Sequence, residues 1–471
     1  MTDQRTNSLN DVFLGAMGEI QARISAMPMP PVVKPTAIAL AYSGGLDSAV
    51  LLHLAHHYAK ANDIALHAFH IHHGLSPNAD QWLEHCRQAC AERGIAFDAR
   101  RVSLKKRDDS GTEEAARIAR YAALGALCVE HGVPLLLTAH HLDDQAETVL
   151  LQLLRGSGVA GMSGMDTANR APDMLGSASL VVARPLLALS RAALEQYASE
   201  QNIAFVDDES NRDPRYARNA LRHQVMPALA ASFPGFQQRF ARTAHHAQAA
   251  QRLLIEMAAQ DIETCRVGDA LDVNQIKRFS ADRADNMLRY WFGSRGIRMP
   301  STAWLHEMRT QLFEAKADAQ LCVTHADCHI RRHRDRVFIT PRFDDDLSEM
   351  EPVDFIWNGE ASLHFPAYNG SLYFDVDIDG SGGIAVDWLQ GRPCSIHYRQ
   401  GGERLKPAAN RPTKSLKYHY QAMDIPAWER ERLPLVSSGG KLLFAAGLGM
   451  DCAQVGQGGS RIRIRWQTDN A

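Results

Sequence analysis

Short apolar runs alternate along this chain with longer stretches in which apolar positions recur every three or four residues. The short runs predict strands at Ala37–Tyr42, Ile64–Ile71, Phe97–Val102, Leu135–Ala139 and Leu180–Ala183. The periodic stretches predict helices at Asp47–Ala59, Asp80–Arg93, Thr112–His131, Asp143–Leu154 and Arg191–Gln201. Regular alternation of this kind predicts an α/β fold, a doubly wound parallel sheet with helices on both faces. Ligands in such sheets bind beyond the carboxyl ends of the strands. The polar clusters SGGLDS, HIHHGLS and AHHLDDQ all fall there.

The pattern changes after about Asn219. Residues 220–260 read as helix, broken at MPALAASFPGF. Residues 270–340 are mixed, with a helix around Arg283–Arg295 and the β-like CHIRRHRDRVFIT. From about residue 362, short strands and Gly/Asp turns dominate, joined by a helix at Lys414–Gln421. Three parts are predicted: a catalytic domain over 1–225, a mainly helical middle domain over 226–345, and a small α+β domain over 360–471.

Composition narrows the class. The chain has 471 residues and a net charge of only −3, so it is not a basic nucleic-acid binder as a whole. Charge is unevenly spread: Asp344–Glu360 holds seven acids and no base, while Ser395–Ala471 holds twelve Lys/Arg against six Asp/Glu. A basic terminal module suits a polyanionic partner. No run approaches the roughly 20 apolar residues that span a membrane. The polar start MTDQRTNSLNDVF lacks the features of a secretory signal. A cytoplasmic protein with no membrane partner is expected. Eight scattered cysteines, the nearest pair being Cys86 and Cys90, give no C-x-x-C.

Candidate chemistry begins at SGGLDS. A strand, this loop and then a helix place backbone N–H groups and two hydroxyls at a helix N-terminus, a setting that favours phosphate. A Walker A loop would end in Gly-Lys-Ser/Thr; this one ends in Asp47 and Ser48. An aspartate beside phosphates suits a bridging Mg2+ or a positioned attacking group. In AHHLDDQAET, the spacing predicts His140, Asp144 and Glu147 on one helix face. Two carboxylates there can hold Mg2+ or an ammonium group. Ser110 and Glu113 read as a capping box, with Arg117 and Arg120 on one face beyond it. Farther on, Arg212, Arg215, Arg218 and Arg222, interleaved with Tyr216 and Asn219, suit RNA phosphates and a stacked base.

The loop SGGLDS resembles the PP-loop of the N-type ATP pyrophosphatases. The order of HGLS-x-x-A-D, E-x-x-A-R-x-x-R-Y, AHH-x-D-D-Q-A-E-T, LLRGSG and D-x-S-N…Y-x-R-N-x-x-R narrows this further. Together with RPTKSLKYHYQAMDIPAWERERLPLV over 411–436, these blocks resemble the tRNA(Ile)-lysidine synthetase family. The resemblance spans about 37–227 and 401–451. It implies a ligase that uses ATP and Mg2+ to join free L-lysine to carbon-2 of the wobble cytidine of tRNA(Ile) with a CAU anticodon. An adenylated tRNA is the implied intermediate, AMP and pyrophosphate are the by-products, and codon reading changes from AUG to AUA. By the same resemblance, Ser43, Gly44, Gly45, Leu46, Asp47 and Ser48 hold ATP and its pyrophosphate. Asp47, Asp144 and Arg117 are implied as catalytic residues and Asp47 as the Mg2+ ligand. Asp144 and Glu147 are expected to bind lysine. Arg218, Asn219, Arg222, Lys414 and Lys417 are expected to bind tRNA. The oligomeric state stays open, with a dimer admitted. A PP-loop tRNA thiolase is the alternative, and the missing C-x-x-C weighs against it.

Overall fold

A computed structural model describes residues 8–27, 35–72, 74, 76, 78–102, 112–206, 217–316, 321–343, 347, 350–377, 383–452 and 460–469. The chain divides into two compact units, Met1–Met257 and Ala258–Ala471.

The first unit is built on a six-stranded sheet. Its strands are β1 (Ala37–Ala41), β2 (Ala65–His72), β3 (Ala96–Arg101), β4 (Leu135–Leu137), β5 (Ala168–Arg170) and β6 (Val181–Ala183), in the order β3-β2-β1-β4-β6-β5. All neighbours pair in parallel except β5, which runs antiparallel to β6 at the edge. The helices between them include α1 (Leu9–Ser25), α2 (Leu46–Ala61), α3 (Ala79–Ala91), α4 (Thr112–Glu130) and α5 (Leu142–Leu154). A further helix spans Arg191–Glu200.

Alternation along β1 shows why both faces are covered. Ile38 and Leu40 point to one side, where they join Phe13, Met17 and Ile20 of α1 and Leu51 and Leu54 of α2. Ala39 points to the other side, where Phe69, Leu136 and Val182 pack against Tyr121, Leu124 and Leu127 of α4. A parallel sheet needs such cover because neither of its faces can meet water. Each fully buried Leu or Ile contributes roughly 1.5–3 kcal/mol to holding it.

The strand order reverses at β1. Its neighbour β2 follows on one side and β4 on the other, so the chains leaving β1 and β4 diverge to opposite faces and open a crevice between them. SGGLDS leaves β1 and AHHLDD leaves β4.

The second unit combines helices with antiparallel sheets. A five-stranded sheet containing Cys328–His333 and Arg336–Pro341 packs on the helices Ala281–Ser294 and Thr302–Glu314. Farther along the chain a five-stranded and a four-stranded sheet enclose a core around Trp357, Leu372, Ile396, Val436 and Ile464. A two-stranded ribbon, Arg404–Leu405 with Lys414–Ser415, precedes the helix Leu416–Ala422. The helix expected from Lys414 therefore begins two residues later. The long helix Phe236–Cys265 carries the chain from one unit into the other.

Candidate active site

The loop after β1 turns on Gly44, whose φ is +86°. A Cβ there would lie 2.9 Å from Cys86 Sγ and 3.2 Å from Val206 Cγ2, so glycine is required by both backbone and space. Gly45 caps α2 with no side-chain hydrogen bond, and Leu46, buried, is its first helical residue. Ser48, also buried, donates its hydroxyl to Gly45 O at 2.9 Å and meets Ser43 Oγ at 3.0 Å. The loop thus holds its own shape, while Ser43 stays exposed.

Asp47 lies in the first turn of α2. Its Oδ2 accepts from Arg191 Nη1 at 3.2 Å and lies 3.7 Å from His141 Nε2. Its Oδ1 is buried and has no hydrogen-bond partner among the described residues. Burial raises the Asp47 pKa above the ordinary carboxylate value. His141, Arg191 and Arg222 pull it down and Asp144 pushes it further up.

The segment after β4 corrects one expectation. His141 is extended (φ −122°, ψ −178°) and caps α5, which starts at Leu142. His140 therefore precedes the helix and does not share a helical face with Asp144 and Glu147. Its Nδ1 instead meets Thr138 Oγ1 at 3.0 Å. Burial pushes its pKa down to about 3, so it is neutral. His141 makes the contact with Asp144: the Asp144 N–H donates to His141 Nδ1 at 3.3 Å, and His141 N–H donates to Asp144 Oδ2 at 3.1 Å.

Asp144 and Glu147 do come together, around two guanidinium groups. Arg218 Nε donates to Glu147 Oε2 at 2.8 Å and its Nη2 to Asp144 Oδ1 at 3.2 Å. Arg222 Nε donates to Glu147 Oε1 at 2.7 Å and its Nη2 to Asp144 Oδ1 at 3.1 Å. The arginines come from the short helix Ala217–Ala220 and the π-helical turn Leu221–Val225, and Asn219 lies between them. Burial alone would raise the Asp144 pKa, but His141, Arg218 and His140 outweigh it and hold the group below its ordinary value. The Asp144/Glu147 pair and the Arg218/Arg222 pair balance in charge.

Arg117 and Arg120 both approach the Tyr121 ring, at 5.5 and 5.4 Å from its centroid. Arg120 is held below its ordinary pKa by burial. Arg117 shares an ion pair with neither Asp47 nor Asp144 among the described residues. In the second unit, Lys414 Nζ lies 3.6 Å from the Tyr418 ring centroid, and Lys417 is exposed on the following helix. The expected Ser110–Glu113 capping box and Arg212, Arg215 and Tyr216 lie outside the described residues and side chains.

Sequence reasoning missed His141, Asp143 and Arg191. Asp143 accepts from the Arg191 backbone N–H at 2.8 Å and from Gln237 Nε2 at 3.2 Å, which ties two separate segments to the start of α5. The Ser190 helix cap, just before Arg191, was the only local signal for that region.

Asp47 fits a hard cation: an oxygen donor with an orphaned atom, in the first turn of a helix entered through Ser43, Gly44 and Gly45. Among the described residues no helix is long and apolar enough to cross a membrane.

Known proteins resemble this chain along most of its length. The PP-loop domain model matches residues 17–229, the TilS substrate binding domain model 271–338, and the TilS substrate C-terminal domain model 394–466. The tRNA(Ile)-lysidine synthase of Burkholderia pseudomallei is 40% identical, covering 98% of this chain and 98% of its own. That of Ralstonia nicotianae is 41% identical, covering 91% and 92%. A solved tRNA thiolase of Methanococcus maripaludis matches with a TM-score of 0.37 and 16% identity, covering 50% of this chain and 80% of its own, a likeness too loose to bear on function. Identity of this order over nearly the full length places the chain in the tRNA(Ile)-lysidine synthase family.

Proposed function

We propose that this chain ligates free L-lysine to carbon-2 of the wobble cytidine of tRNA(Ile) bearing a CAU anticodon, consuming ATP. The observation that carries the reading is the meeting of Asp47, His141, Asp144 and Glu147 at the reversal point of the sheet, beside a loop shaped for an anion. The cytidine carbonyl oxygen attacks the α-phosphate of ATP, forming an O–P bond and releasing pyrophosphate. The ε-amine of lysine then attacks carbon-2, AMP leaves with the oxygen, and the amine gives up its proton. Activation comes first because that oxygen is a poor leaving group until it is adenylated.

Ser43, Gly44, Gly45, Leu46 and Ser48 cradle the pyrophosphate in this reading. Asp47 would hold Mg2+, which would neutralise phosphate charge. Arg117 supplies a cation to phosphate. Asp144 and Glu147 bind the ammonium of lysine. Arg218 and Arg222 keep these carboxylates neutralised and release them to lysine as the guanidinium groups turn to tRNA phosphate, with Asn219 beside them. Lys414 and Lys417 meet the tRNA at the basic end. The division in this reading is a catalytic part over 1–225, a helical linker and middle tRNA-contacting part over 226–345, and a tRNA-binding part over 360–471.

Thiolase chemistry needs a thiolate. Burial pushes the Cys86 thiol up to about 12 and the Cys90 thiol up to about 11, so both are neutral beneath the loop. The deciding assay combines purified protein, ATP, labelled lysine and unmodified tRNA(Ile) transcript. Label on the tRNA with equal release of AMP is expected; AMP release without incorporated label would overturn the reading.

A further inference from the structure

We propose that His53 and His57, on the outer side of α2, form a two-imidazole site for a borderline divalent transition metal such as Zn2+ or Ni2+. The two residues are four apart, so their rings stand one turn apart on one helix face. Their Nε2 atoms are 3.4 Å apart. Two metal–nitrogen bonds of about 2.0–2.1 Å meeting at a tetrahedral angle separate their nitrogens by about 3.4 Å. The rings lie edge to face with centroids 4.6 Å apart, so a metal ion can replace the proton the imidazoles share once the His57 ring turns to aim its lone pair at it.

The ring of His53 is oriented for this. Its Nδ1 lies 3.1 Å from the Tyr197 hydroxyl, and that hydroxyl donates to Asn10 Oδ1 at 3.3 Å. The hydroxyl proton is thus committed to Asn10, so the hydroxyl accepts from His53 Nδ1–H and leaves the His53 Nε2 lone pair facing His57 Nε2. Outer hydrogen bonds of this kind fix the tautomer of metal-binding histidines. His57 is exposed, which gives a route from solution.

The surroundings select the metal. The charged and titratable groups acting on His53 are His57, Arg93 and His56, and those acting on the neighbouring His56 are His57, Lys60 and Arg93, with no carboxylate among them. The ligands are neutral nitrogens, which suit zinc, nickel or copper and not magnesium or calcium. Among the described residues no third His, Cys or carboxylate closes on the pair; the one such three-residue group is Asp98, Glu130 and His131, elsewhere on the unit. Water completes the coordination.

The test is calorimetric titration of the full chain with Ni2+ in a non-chelating buffer. Wild type is expected to show one saturable ion that His57→Gln and His53→Gln each weaken at least a hundredfold. Tyr197→Phe is expected to weaken it by about tenfold or more. His131→Gln should leave it unchanged. Because His57 is exposed, His57→Gln tests the site even should His53→Gln fail to fold. Wild-type affinity in His57→Gln, or loss of the ion in His131→Gln, would overturn the proposal.

Discussion

Asp144 and Glu147 share two guanidinium groups out of reach of most solvent, with side-chain exposures of 13% and 2%. Asp424, in the second unit, is 30% exposed and by itself gathers His333 at 2.9 Å, Arg334 at 2.9 Å and Arg336 at 3.6 Å. The first cluster is balanced and buried; the second is rich in base and wet. Burial makes each charge in the first depend on its partners, because no water compensates for a missing one. Solvent does that work for the second. Balance also suits a site that exchanges one cation for another, whereas an excess of base suits contact with a polyanion.

The largest effect is expected from Glu147→Ala. It strands Arg218 and Arg222 and should cost about 3–5 kcal/mol in a urea denaturation series. Lysine incorporation should fall with it. The milder Glu147→Gln should raise KM for lysine while sparing that for ATP, and unchanged lysine kinetics would separate the cluster from lysine. Next, joint replacement of Lys414 and Lys417 by alanine should weaken tRNA affinity and spare ATP binding. The slope of log affinity against log salt should flatten by about 0.7–0.9 for each lost phosphate contact. An unchanged filter-binding series would end the assignment of phosphate binding to the basic end. Asp424→Ala should cost no more than about 1 kcal/mol in a thermal melt. A cost equal to that of Glu147→Ala would erase the contrast between the clusters.

Smallest in size but clearest in sign is pH. Asp144 is held below its ordinary value, so its stabilisation is present above the unfolded value of about 3.9 and is lost as pH falls through the lower folded value. Asp47 has the opposite sign. Its raised folded value favours the folded state at low pH, and that contribution is lost as pH rises through it. Asp47→Asn should therefore raise stability at neutral pH while abolishing pyrophosphate release. A destabilised Asp47→Asn protein would contradict the burial argument.

Much of the first unit could be read from the sequence, because strands buried on both faces must be continuously apolar and their covering helices periodic. Ala168–Arg170 escaped because three residues with two polar side chains carry no period; that segment is a strand only through its pairing with β6. SGGLDS was legible because glycine at positive φ and small polar groups have a local cause. The Arg191–Asp47 contact was not, since it joins residues 144 apart and chain spacing says nothing about it. The pairing of Arg218 and Arg222 with Asp144 and Glu147 is of the same kind. Arginine spacing shows that cations cluster, and only the folded chain shows which anions they face. The shift from His140 to His141 turned on where a helix begins, which one extended residue decides.

That residue ties the aim of one ring to backbone order. His141 Nδ1 accepts the Asp144 N–H, while its Nε2 faces the carboxylates of Asp47 and Asp144. A single imidazole therefore both caps α5 and borders the carboxylates of two separate segments. His141→Phe would remove the cap, loosen the first turn of α5 and, with it, the placement of both carboxylates that follow. Amide hydrogen exchange at Asp144 would report this fraying before any global unfolding.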